Sequence, residues 1–112
     1  MWEYQAKLHR VIDGDTVELT LDLGFNVTIT EGIRVAGVDT PEIRGGTAET
    51  KRAGRIAREY TKGFCAGSEG WPLIVATEWD RSFERYVGSV SRDGVDLAEA
   101  LISHGFGVPS DG

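Results

Sequence analysis

Asp13 and Asp15 lie in Ile12-Asp13-Gly14-Asp15-Thr16, and Asp39 and Glu42 close the stretch Arg34-Val35-Ala36-Gly37-Val38-Asp39-Thr40-Pro41-Glu42. Pro41 fixes its own φ and pushes Thr40 into an extended conformation, so a strand must break there. Carboxylates gathered at strand ends repel each other unless a cation or an arginine joins them, and Arg34 stands between the two pairs. Asp15 and Asp39 offer hard oxygen ligands, and Thr40 can add its backbone carbonyl. An all-oxygen set without His or Cys suits Ca²⁺ or Mg²⁺ rather than zinc. The segment is no EF-hand, because Asp13-Gly14-Asp15-Thr16 lacks the loop spacing and the closing glutamate. Glu42 is then free to take a proton from water. Arg34, with a second arginine, could bind a phosphate and stabilise added negative charge. Metal, base and guanidinium together are the parts needed to hydrolyse a phosphodiester. Either segment alone reads as a turn with solvated charges; the two together read as a site.

Strands must position these groups. Residues 4–11 read as a first strand, and Asp13-Gly14 marks a turn or bulge. Val17, Leu19, Leu21 and Leu23 alternate with Glu18, Thr20 and Asp22, the period of a half-buried strand. Gly24 interrupts it, and Phe25, Val27 and Ile29 alternate in turn with Asn26, Thr28 and Thr30, as a second such strand or a continuation past a bend. Glu31-Gly32 is expected to turn the chain, and 33–38 to form the strand leading to the break. Asp15 shares parity with Val17 and Leu19, which puts it at the mouth of a barrel. Arg34 and Asp39 have opposite parity, so both face one site only if the strand bulges or ends near Gly37-Val38, which Gly37 permits.

The pattern predicts a helix over 48–64, with Ala53, Ile56, Ala57, Tyr60 and Phe64 as its apolar face. Arg52, Arg55 and Arg58 lie beside that face, and with Glu49 and Glu59 nearby they read as a solvated surface. Strands are expected over 72–78 and 85–91, with a turn at Ser91-Arg92-Asp93-Gly94. Asp96 with Glu99 reads as a capping box opening a short helix that Gly105 ends. Five strands with a helix between the third and fourth fit a mainly β OB-fold barrel. An open α+β sheet is the rival, and the small size and strict alternation favour closure.

The chain has 112 residues, 40% of them hydrophobic, which suits one folded domain spanning 1–112. A net charge of −6 argues against a protein that grips nucleic acid non-specifically, since phosphate binding rests on clustered Lys and Arg. It does not exclude one local phosphate site. The single Cys65 excludes an internal disulfide and a cysteine zinc site. No apolar run reaches membrane-spanning length. No basic segment followed by an apolar one opens the chain, so a cytoplasmic location is expected for it as it stands, or secretion if a leader was removed. His9 and His104 read as surface or packing residues, and Trp2, Trp71 and Trp79 as core or rim aromatics.

Val11-Ile12-Asp13-Gly14-Asp15-Thr16-Val17, Arg34 to Glu42, and Asp80 to Arg85-Tyr86-Val87 resemble the three signature segments of the staphylococcal nuclease (thermonuclease-like) family. Residues 95–106 are similar to its helix after the last strand. The resemblance spans nearly the whole chain, and its four segments stand in the right order. It implies an OB fold and calcium-dependent cleavage of DNA and RNA, with single-stranded or melted nucleic acid as substrate, no membrane partner and a monomeric state. By match, Asp15 and Asp39 are calcium ligands and Thr40 gives its carbonyl. Glu42 is the general base, Arg34 and Arg85 grip the scissile phosphate, and Asp13 stands behind the ligands. Asp22-Leu23-Gly24-Phe25 belongs to a longer second hairpin than the prototype has, as in bacteriophage and bacterial versions. Phe83-Glu84 precedes Arg85 where the family usually has Gly, with one extra residue after Asp80, so Arg81 is the substitute candidate. Gly107-Val108-Pro109 stands where the prototype carries tyrosines that stack on the nucleotide. The alternative to a nuclease is a non-catalytic OB module that binds nucleic acid or protein.

Overall fold

A computed structural model describes residues 2–67 and 69–110. The strands are β1 (Trp2–Asp13), β2 (Thr16–Asp22), β3 (Thr28–Val35), β4 (Val38–Asp39), β5 (Leu73–Asp80), β6 (Arg85–Arg92), β7 (Val95–Asp96) and β8 (Val108–Pro109). Helix α1 (Ala48–Cys65) follows β4, and α2 (Leu97–Ser103) follows β7. Five of the strands close into a barrel in the order β3-β2-β1-β5-β6, sealed by a parallel pairing of β3 with β6. This is the OB-type barrel with two helices that the alternation predicts. Ala6 of β1 stands opposite Leu21 on one side and Leu73 on the other, so the long first strand serves both halves of the wall. Bulges between Leu8 and Arg10 and between Val11 and Asp13 bend it.

The inward parity supplies the core. Val17, Leu19, Ile33, Val35, Leu73, Val75 and Val90 are buried, and Leu97 and Leu101 of α2 complete the cluster. Each large aliphatic side chain buried this way contributes about 1.5–3 kcal/mol. Asp96 caps α2 by accepting from the Glu99 N–H at 3.1 Å, so the capping half of the expected box is present.

Two local expectations are corrected. The chain does not turn at Glu31-Gly32. Strand β3 runs straight through, with Glu31 opposite Leu19 and Gly32 opposite Glu18. The chain turns where Gly24 is expected to interrupt it, but the turn extends through Phe25 and Asn26, all three at positive φ, so Phe25 is fully exposed and begins no strand; Asp22 Oδ1 accepts from the Gly24 N–H at 2.9 Å. A glycine in register between paired neighbours does not break a ladder, whereas three consecutive left-handed residues must. The buried face of α1 is Gly54, Ala57, Thr61 and Cys65, while Ile56 is 47% exposed. Small side chains let the helix lie close to the barrel, and Tyr60 and Phe64 pack at its margin. Thr47 and Thr50 form the reciprocal cap that starts α1. Burial pushes the Cys65 thiol up to about 12, so it stays protonated and inert. No described helix is long and apolar enough to cross a membrane.

Candidate active site

The end of β3 and the whole of β4 form the centre of the site. Gly37, at φ 87, reverses the chain between them and resolves the parity conflict between Arg34 and Asp39. Arg34 staples this reversal: its Nη1 donates to the carbonyls of Val35 at 2.9 Å and Val38 at 2.8 Å. The same nitrogen lies 3.4 Å from Asp15 Oδ2, and Nη2 donates to Asp39 Oδ1. One guanidinium therefore joins the two carboxylates that otherwise repel. Its Nε–H and one Nη2–H have no recorded partner among the described residues, leaving two of its donors for another acceptor.

Asp15 is held from every side. Its Oδ2 accepts from the Thr40 N–H at 2.9 Å and its Oδ1 from the Thr16 hydroxyl at 3.2 Å. Its own carbonyl accepts from the Val35 N–H at 2.8 Å. Asp39 is different: its side chain is 56% exposed against 13% for Asp15, so its second oxygen faces water. The preceding turn is tied down by α1, where the buried Thr61 hydroxyl donates to the Gly14 carbonyl at 2.7 Å. The segment after β4 is tied to the same helix. A Cβ on Gly54 would lie 2.8 Å from the Pro41 carbonyl oxygen and 2.9 Å from that of Glu42, so only glycine lets this backbone pass. From the other side, β8 pairs with β4, Val38 opposite Pro109 and Asp39 opposite Val108.

The expected residues thus divide into three groups. Asp15, Arg34, Asp39 and Thr40 are brought together. Glu42 and Asp13 share a neighbouring hollow of about 340 Å³ with Ile12, Ile43, Arg44 and Arg58. Glu42 is exposed, and its carboxylate has no hydrogen bond or ion pair among the described residues. Arg58 is half-buried at this hollow, while Arg52 and Arg55 are exposed. Arg85 opens β6. Val87 stands opposite Arg34, so Arg85, two residues earlier, is on the same outward face. Its guanidinium lies 4.8 Å over the Phe83 ring, and its Nε is 4.0 Å from Asp80. Arg81 sits in the β5–β6 loop, beside a different hollow with Trp79, Asp80 and Val87.

A Ca²⁺ ion takes about 6–8 oxygens. Among the described residues no group of three or more Asp, Glu, His or Cys is close enough to hold a metal. The residues nonetheless fit such an ion with water completing its shell. Asp15 and Asp39 already share one positive group, and the Asp39 carboxylate is open to solvent.

The family described as staphylococcal nuclease homologue matches residues 32–109, more than half of the chain. The chain belongs to that family. The matched span holds Arg34, Asp39, Thr40, Glu42 and Arg85 and begins after Asp13 and Asp15. No curated protein matches the chain. Three positioning features of this family member escape a motif reading: Thr61, Gly54 and the β4–β8 pairing. A polar residue and a glycine on the buried face of α1 are the only sequence signals for the first two.

Proposed function

We propose that the protein is a calcium-dependent nuclease that hydrolyses phosphodiester bonds of single-stranded or melted DNA and RNA. The observation that carries this reading is the meeting of Asp15 and Asp39 on one guanidinium, at a chain reversal that leads directly to a glutamate unpaired among the described residues. Family membership supports the same chemistry.

In this reading Asp15 and Asp39 would hold Ca²⁺ with side-chain oxygens and Thr40 with its backbone carbonyl. When bound, the ion supplies positive charge that polarises a phosphoryl oxygen. Glu42 takes a proton from a water molecule, whose oxygen forms the new bond to phosphorus. The ester oxygen departs and is protonated from solvent. Glu42 suits this role because its carboxylate has no hydrogen bond or ion pair among the described residues. The free donors of Arg34 and the guanidinium of Arg85 hold the phosphate and offset the charge that builds on its oxygens. Asp13 keeps the hollow beside Glu42 polar. Incubation with single-stranded DNA and RNA, read on a gel, tests the proposal. Cleavage should require Ca²⁺, stop with EDTA, and be lost in Asp15→Asn and Asp39→Asn. Full cleavage in EDTA would contradict it.

A further inference from the structure

A further hollow, of about 350 Å³, opens on the inner side of the barrel wall; its lining includes Ile33 and Tyr86, which adjoin Arg34 and Arg85 in the chain but have the opposite, inward parity. Four aromatic rings, Trp2, Tyr4, Trp79 and Tyr86, contribute to its lining. Trp79 and Tyr86 stand opposite each other on β5 and β6, with ring centroids 4.9 Å apart and planes 70° apart, so they form two walls at a steep angle. Trp2 is 71% exposed and Trp79 51%, an unusual amount of indole surface to leave in water at one opening.

The remaining polar groups decide what this opening recognises. Glu31 has the parity of Ile33 and Val35, so it points to the barrel interior among apolar neighbours. It is half-buried and has no hydrogen bond or ion pair among the described residues. Glu78 borders the hollow, but it stands opposite Val87 and so shares the outward face of Arg34, which leaves Glu31 as the inward-pointing carboxylate; among the described residues no lysine or arginine lines the hollow. The inward Glu31 carboxylate, with no cation beside it among the described lining residues, repels a phosphate chain, so the rings are poorly placed to stack bases of a nucleic acid. A neutral apolar guest would leave the Glu31 charge unpaired in a less polar surrounding, which is costly. A cation with an apolar body satisfies both features, because the faces of Trp and Tyr attract positive charge. A quaternary ammonium suits best: it has no N–H groups that need hydrogen-bond partners, and the site offers few.

We propose that this hollow is a binding site for a small quaternary ammonium cation, held against the aromatic rings by the Glu31 carboxylate. The test is an NMR titration of the indole N–H signals. Trp2 and Trp79 line the hollow, whereas Trp71 lies outside it under the Lys7 ammonium and serves as internal control. The probes are choline and 3,3-dimethylbutan-1-ol, its uncharged analogue of the same shape. Choline should move the Trp2 and Trp79 signals saturably and leave Trp71 in place. The neutral analogue, and choline against Glu31→Gln, should bind at least ~10-fold more weakly. Equal binding of both probes would reduce the hollow to an apolar crevice and overturn the proposal. So would the absence of saturable shifts, or indole shifts with oligothymidylate that choline does not reverse.

Discussion

Thr40 separates two roles that one residue could play. Its hydroxyl is buried without a hydrogen-bond partner among the described residues, while its N–H holds Asp15 and its carbonyl is the proposed ligand. Thr40→Val removes only the hydroxyl. The variant should gain up to about 1–3 kcal/mol in urea unfolding, because an unsatisfied buried group disappears. Its cleavage rate should stay within a few-fold of the parent. A large loss of activity would show that the hydroxyl is used. The arginines can be ranked in the same way. Lysine keeps the charge but loses the planar pair of donors. Arg85→Lys should lower kcat by about 10–100-fold, the worth of a charge-assisted hydrogen bond. Arg81→Lys should change it little. The reverse ranking would move the phosphate grip to the β5–β6 loop.

At the level of elements, α1 positions both halves of the site, through Thr61 to the Gly14 carbonyl and through Gly54 to the Pro41-Glu42 backbone. Gly54→Ala sets two effects against each other. Helix propensity favours alanine by about 1 kcal/mol, while overpacking costs about 1–3 kcal/mol. The atoms in the way are backbone carbonyls that cannot rotate aside, so the clash should win. We expect a lower urea midpoint and a marked loss of cleavage; a stabilised and active variant would show that the 41–42 segment moves freely. Motif reading does not reach this helix contact, because a buried glycine has no period of its own. Alternation does show the β2 and β3 faces, and the parity conflict between Arg34 and Asp39 calls for the reversal found at Gly37. Turn composition misleads at Glu31-Gly32, where turn-like residues are overridden by pairing with Leu19 and Glu18. The helical period misses the packing of α1 through small residues, which leaves Ile56 outside.

At the scale of the whole molecule, barrel closure is legible because five alternating segments in a short chain leave few ways to bury one face. The β4–β8 pairing is not, since two-residue strands carry no pattern. A net charge of −6 repels a polyanion at long range, so under the proposed function binding would depend on Arg34, Arg85 and a bound cation. Few counterions are then released. Anisotropy of a labelled single strand on Glu42→Gln protein, with Ca²⁺ present, should give a log–log salt slope of about −2 or shallower. A steep slope with tight binding would point to Arg52 and Arg55 as a basic surface. The central claim is that Glu42 removes a proton from the attacking water, and one measurement meets it directly: the Ca²⁺-dependent cleavage rate of single-stranded DNA by Glu42→Gln beside the parent. The amide keeps the shape but cannot take the proton, so with unchanged folding the rate should fall by ~10²–10⁴-fold. A rate within a few-fold of the parent would contradict the claim and assign the base to another group.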